Sequence, residues 1–321
     1  DIERIRRKVE NIPESERKRV IRLMGRTKMM TPGDDSFQNE YIRLAGGIPP
    51  KLGKNGKVVT VTQAEWTKFN PQVIYGCGGD RETVKKLLQR PGWKDVDAVR
   101  NHRIFFFPCE LTCRPSSAAG DFVSWLASQI YEEEFADTEK QVTENHLIKT
   151  TPISVELDYV RSAGISHSLI YDFIHKTLIL ELNTPMPVTS TLEGYREGIR
   201  FVGNSYSPPP TWGIYHRISL MDSRTTLYQV LGKKEEDTCV LLTGADMDKL
   251  VVKEASFKDM KATVLVTAGV MGNALRASKD EGLFYEPGTV NIIVMTNTKL
   301  SKRAMARAIV AVTEGKTALF Q

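Results

Sequence analysis

VTAGVMGNALRASKD (Val266–Asp280) and GTVNIIVMTNTKLSKRAMARAIVAVTEGKTAL (Gly288–Leu319) decide how this chain is read. In each, a β-branched apolar run ends in a cluster of Thr, Gly and Asn. Such a run is a buried strand, and such a cluster is a loop presenting backbone and side-chain amides to a ligand. KATVLVTAGV (Lys261–Val270) is the strongest strand of the sequence, with VNIIVMTN (Val290–Asn297) close behind it. CVLLTGA (Cys239–Ala245) is a buried strand meeting a polar loop, and the alternation of DKLVVKEASF (Asp248–Phe257) predicts pairing beside it. KRAMARAIVAVTEGKTALF (Lys302–Phe320) has Met305, Ile309, Val312 and Leu319 at helical spacing, with Ser301 as its cap. Buried strands plus this helix predict an α/β layered domain with a mixed sheet.

Upstream of that domain the pattern changes. Ile2, Ile5, Val9 and Ile12 stand among charges at a helical period within Asp1–Lys18, broken at Pro13. RVIRLMG (Arg19–Gly25), VVTVT (Val58–Thr62), QVIYGC (Gln72–Cys77) and RIFFFP (Arg103–Pro108) read as strands. Between them lie helices: one capped by Asp34, Asp35 or Ser36 and running through Leu44, then AEWTKF (Ala64–Phe69) and RETVKKLLQ (Arg81–Gln89). DFVSWLASQIYEEEF (Asp121–Phe135) closes the region. This alternation predicts an α/β lobe with a largely parallel sheet over residues 1–135. The polar stretch 136–150 reads as a linker, and 151–321 as the second domain. A length of 321 residues suits two domains of about 100–200 residues each.

Composition narrows the partners. A hydrophobic fraction of 41% with 26% charged residues is that of a soluble globular protein. The net charge of +5 is spread along the chain without a basic stripe, zinc finger or RNA-binding signature, which argues against a nucleic-acid partner. No apolar run approaches the ~18 residues that span a bilayer. Cys77, Cys109 and Cys113 cluster in the first region while Cys239 stands apart. The CELTC spacing leaves open reduced buried thiols, a disulfide and, more weakly, zinc, because a structural zinc site wants four ligands. No signal peptide is read, but the chain opens at Asp1 inside a helix, so the compartment stays open.

TGADMD (Thr243–Asp248) with the two opening stretches resembles the adenosylcobinamide amidohydrolase family, which cleaves an amide on a corrinoid side chain. That resemblance spans roughly 150–321 and implies hydrolysis of the aminopropanol amide arm of adenosylcobinamide to adenosylcobyric acid, in corrinoid salvage. It implies Asp246 or Glu314 as general base or acid and Thr243 or Thr267 as donor or nucleophile. Asn204, Gly269, Gly272, Asn273, Arg276, Gly288, Asn291 and Asn297 would hold the substrate. The family's Ser/Gly loop corresponds here to Thr189, Ser190, Thr191 and Gly194, without its run of glycines. No cofactor or protein-bound metal is implied, since the cobalt belongs to the corrinoid. HExxH, GxSxG, GxxxxGK[ST] and GxGxxG are absent, so a metalloprotease, a serine hydrolase and a nucleotide site find no motif.

A second resemblance lies in TPG…SF…EYIRLAGG, VTQAEWTKFNPQVIYGCGG, PGWKDVDAVRNHRIFFFP and Arg114-Pro115. Their order is similar to the carboxy-terminal lobe of periplasmic ABC binding proteins for cobalamin, siderophores and haem. It implies an ABC permease as partner and, as the alternative function, a non-enzymatic import component for iron chelate, haem or cobalamin. The amino-terminal lobe has no counterpart here, so any grip by Trp66, Tyr75, Arg114 or the Cys109–Cys113 loop is half a site. Trp66 and Trp93 read more simply as core. Binding-protein likeness and clustered cysteines lean periplasmic, whereas amidohydrolase relatives lean cytoplasmic.

Overall fold

The computed structural model describes residues 2–25, 27–269 and 289–320. Cα packing divides the chain into two units, Asp1–Thr143 and Glu144–Gln321. Both are α/β.

In the first unit, β1 (Val20–Arg22), β4 (Val73–Cys77) and β5 (Ile104–Phe107) form a parallel sheet in the order β1-β4-β5. Every residue of β4 is buried, as a central parallel strand requires. β2 (Met30–Thr31) and β3 (Val59–Thr60) form a two-stranded ribbon, with Met30 also bridging Met24, so the VVTVT run makes no strand of the parallel sheet. Helices cover both faces. On one, Ile21 and Ile74 pack with Trp66 of α3 (Gln63–Phe69) and Val84, Leu87 and Leu88 of α4 (Arg81–Leu88). On the other, Tyr75 and Phe107 meet Phe122 of α7 (Ala119–Ile130) at ring distances of 5.6 and 5.3 Å. α1 (Ile2–Glu10) and α2 (Phe37–Leu44) pack on α7, while α5 (Asp97–Arg100), α6 (Cys109–Thr112) and α8 (Glu132–Phe135) are single turns.

Local chemistry sets the helix starts. Ser36 is the cap that α2 uses, accepting from the Asn39 amide at 3.2 Å. Thr62 and Glu65 make a reciprocal capping box at α3. Cys77 and Cys109 are joined as a disulfide. Residues 136–150 are not a free tether: Lys140 accepts from Lys8 Nζ through its carbonyl, and β6 (His146–Pro152) is a sheet strand.

The second unit contains two sheets. β10 (Thr238–Thr243), β9 (Gly194–Tyr206), β8 (Phe173–Ser190), β7 (Val160–Ile170) and β6 lie in that order, antiparallel except for the parallel β10–β9 pair. β11 (Val251–Phe257), β12 (Met260–Gly269) and β13 (Thr289–Thr296) form the second, antiparallel sheet. β11 therefore does not pair beside β10: the two-residue turn at Lys258-Asp259, with Lys258 at φ 53°, folds it directly onto β12. Alternation along β8 sends Leu178, Leu180 and Leu182 toward Leu265, Ile293 and Met295 of the second sheet. Ile179 faces the other way, with Leu227 and Leu231 of α10 (Leu220–Leu231), which follows the one-turn α9 (Trp212–Tyr215). The expected loop at 189–194 is a hairpin instead. β8 continues through β-branched Val188 and Thr189 to Ser190, and Gly194 at φ 75° closes a three-residue turn. α11 (Lys302–Phe320) ends the described chain, with Ser301 Oγ accepting from the Ala304 amide.

His175 sits in β8 at 1% exposure. Its Nδ1 lies 3.1 Å from the Phe173 carbonyl and so carries the proton, which leaves Nε2 to accept from Tyr215 Oη at 2.8 Å. Burial without a counter-charge pushes its pKa down to about 4. The folded value lies below the unfolded one of about 6.5, so the stabilisation is complete above pH 6.5 and is lost as pH falls toward 4. The loss amounts to about 3 kcal/mol. Urea midpoints recorded between pH 7 and 4 are expected to fall over this window, and to fall less in His175→Gln.

Candidate active site

The inward faces of the two sheets change character at one end. Val202 of β9, Leu241 of β10, Leu265 of β12 and Ile293 of β13 belong to the apolar layer. Two residues along, the same alternation places Asn204, Thr243, Thr267 and Asn291. Asn204 Nδ2 donates to Thr267 Oγ1 at 2.9 Å, and Asn204 Oδ1 accepts from Asn291 Nδ2 at 2.8 Å. Asn291 Nδ2 also donates to the Leu242 carbonyl at 2.9 Å. Asn204 and Thr267 are 2% and 0% exposed. Four strands, β9, β10, β12 and β13, are thus tied by side-chain amides where apolar residues would pack without needing partners.

Of Asn204, Thr243, Thr267 and Asn291, Asn291 alone lines a cavity of about 710 Å³, within the size range of small-molecule sites. Its walls are the end of β8, β13 and the face of α11 that carries Met305, Ile309 and Val312. Among the described residues β13 is an edge strand, and every residue from Val290 to Thr296 lines the space. The side chains of Thr189, Ser190 and Thr191 add polar groups to this wall.

The other expected residues divide. Thr243 Oγ1 accepts from the Ala245 amide at 2.9 Å and so shapes the loop. Gly269 lies against that loop, and a Cβ there would come 3.2 Å from Ala245 Cβ. Asp246 caps the turn at Met247 by accepting from the Asp248 amide, and pairs with Lys176 Nζ at 2.8 Å. Lys176 also reaches Asp248, and these carboxylates hold its pKa above the ordinary value against the opposing effect of burial. Asn297 lines the cavity, but its Oδ1 accepts from the Lys261 amide and its Nδ2 donates to the Asp259 carbonyl. Glu314 is exposed on α11 and is not among the cavity residues. Gly272, Asn273, Arg276 and Gly288 lie outside the described residues. In the first unit Trp66 and Tyr75 are fully buried in the interior, which removes them from any ligand grip, whereas Arg114 is exposed.

Cys239 escaped the sequence reading, because nothing beside it in the chain marks it. β10 places it in the cavity wall, close to the buried Glu193 carboxylate. Burial first, then Glu193, pushes its thiol up to about 11. Iodoacetamide at pH 8 is expected to alkylate the exposed Cys113 and spare Cys239, as peptide mass spectrometry would read out.

A family model described as adenosylcobinamide amidohydrolase matches residues 160–321, the part of the chain that carries these sheets. The chain belongs to that family. An uncharacterized protein of Methanocaldococcus jannaschii is 35% identical over 188 residues, covering 52% of this chain and 72% of that protein. An uncharacterized ABC transporter substrate-binding lipoprotein of Bacillus subtilis is 28% identical over 138 residues, covering 43% of each. Among solved structures, a periplasmic binding protein from Veillonella parvula matches with a TM-score of 0.37 and 18% identity, covering 41% of this chain and 47% of that one. A periplasmic heme-binding protein from Roseiflexus matches with a TM-score of 0.37 and 20% identity, covering 41% and 52%. The chain spans about half the length of these solved proteins. It thus joins an amidohydrolase-family domain to a region similar to ABC substrate-binding proteins. No helix among the described residues is long and apolar enough to cross a membrane.

Proposed function

We propose that the second unit hydrolyses the amide joining the aminopropanol arm to adenosylcobinamide, or to a related corrinoid, and so yields adenosylcobyric acid. Water adds to the amide carbon, the C–N bond breaks, and the departing aminopropanol nitrogen takes up a proton. The observation that carries this reading is the Asn204–Asn291–Thr267 network, which reaches the cavity wall at Asn291, in a family-matched domain. Corrinoid arms are carboxamides, and the cavity wall offers them the hydroxyls of Thr189, Ser190 and Thr191, each able to donate or accept. Asn291 spends both amide hydrogens on the protein, so it and Asn204 act as positioning residues that fix the strand ends. Asp246, held by Lys176, orders the loop that follows β10. Incubation with adenosylcobinamide should release adenosylcobyric acid detectable by mass spectrometry; an unchanged substrate would count against the enzyme.

A second reading, a non-enzymatic component of an ABC importer for a corrinoid, haem or iron chelate, draws on the likeness to the Bacillus lipoprotein. With it go an ABC permease as partner and an extracytoplasmic location, which suits the Cys77–Cys109 disulfide. Calorimetric titration showing tight cobalamin binding without turnover would favour it.

A further inference from the structure

In the first unit the sulfurs of Cys77, Cys109 and Cys113 all lie within 4.8 Å of one another. Cys77 ends β4 and Cys109 opens α6, bonded across a Cα–Cα distance of 4.9 Å, whereas Cys113 is an exposed thiol. The Cys113 amide donates to the Cys109 carbonyl at 3.0 Å, so a single helical turn carries both sulfurs. The Arg22 guanidinium, 2% exposed, donates to Cys113 Sγ at 3.4 Å. No carboxylate among the described residues pairs with Arg22, and its Nε has no hydrogen-bond partner.

A structural disulfide needs neither the third sulfur nor a buried cation aimed at it. A buried guanidinium lacking an acidic partner is costly unless negative charge stands beside it, and here sulfur is what stands beside it. Thiolate–metal bonds of about 2.3 Å place three coordinating sulfurs about 4 Å apart, a spacing this cluster accommodates. Charge agrees: three thiolates and a divalent cation sum to one negative charge, which Arg22 neutralises.

We propose that the reduced cysteines form a three-thiolate site for a divalent thiophilic cation such as Zn²⁺, and that the Cys77–Cys109 disulfide is its oxidised, metal-free form. A phosphine reductant takes the oxygen of one water and leaves two thiols on the protein. Binding then forms three sulfur–metal bonds and releases three protons. The fourth position of a tetrahedral ion is left for water.

The full chain, oxidised or phosphine-reduced and desalted without oxygen, would be titrated with Zn²⁺ against a chromophoric chelator. Reduced protein should take up one equivalent and oxidised protein none, and Cd²⁺ should add a sulfur-to-metal charge-transfer band. Cys113→Ser, with its fold checked by circular dichroism, should bind at least roughly tenfold more weakly. Cys239→Ala should bind as the parent does. Equal uptake by oxidised and reduced protein, or parent-like affinity in Cys113→Ser, overturns the proposal.

Discussion

Asn204→Ala lowers the stability of the second unit by about 2–4 kcal/mol, because it strips Thr267 Oγ1 and Asn291 Nδ2 of buried partners together. For a unit of this size the melting midpoint drops by roughly 5–15 °C. Asn291→Ala frees the Leu242 carbonyl as well as Asn204 Oδ1, so the two substitutions share one bond. The double variant should therefore lose less than the sum of the singles, and thermal denaturation followed by circular dichroism reads the difference. Strict additivity would mean that the layer is not a connected network. If the network positions the strand ends for catalysis, adenosylcobinamide turnover falls in Asn204→Ala even at temperatures where the variant remains folded.

Trp66→Ala acts on the first unit with comparable force. Trp66 is fully buried in the cluster with Ile21, Ile74 and Leu87. Its Nε1 donates to the Trp93 carbonyl at 3.0 Å, and the two rings stand 5.7 Å apart. Removing it leaves an indole-sized void and an unpaired carbonyl, a loss of about 3–5 kcal/mol. Trp93 packs only at the margin of the same cluster, so Trp93→Ala should cost less. Denaturant unfolding monitored by tryptophan fluorescence checks the order, and an effect of Trp66→Ala within that of Trp93→Ala would contradict it.

Much of this was readable in one dimension. β4, β12 and β13 are strands where their apolar, β-branched runs put them, but only β4 is buried throughout: β12 buries Thr263, Leu265 and Thr267, and β13 buries Ile293 and Met295. Ser301 and the period of Met305, Ile309 and Val312 marked α11. Hairpins were harder. The β7–β8 turn places Tyr171 and Asp172 at φ 52° and 71° without the Asn-Gly that announces such turns. Instead, Tyr171 is held from outside, its amide by Asn145 Oδ1 and its hydroxyl by Thr226. For the same reason the alternation of β11 points to β10 while the strand pairs with β12: alternation states that a strand has two faces, not which strand lies beside it.

The candidate site divides along the same line. The resemblance to the amidohydrolase family singled out Asn204, Thr243, Thr267 and Asn291, because its motifs can be matched residue by residue along the chain. What each does was decided in three dimensions. The direction in which amide hydrogens point turned Asn291 into a strand tie, the reach of Lys176 turned Asp246 into half of an ion pair, and the helical period left Glu314 in solvent. Cys239 joined the cavity wall, and Arg22 met Cys113, across 91 positions, through folding alone. Sequence thus determined the layers, since burial has a period along the chain, while tertiary structure chose the partners, since hydrogen bonds and charges act through distances that the chain order does not encode.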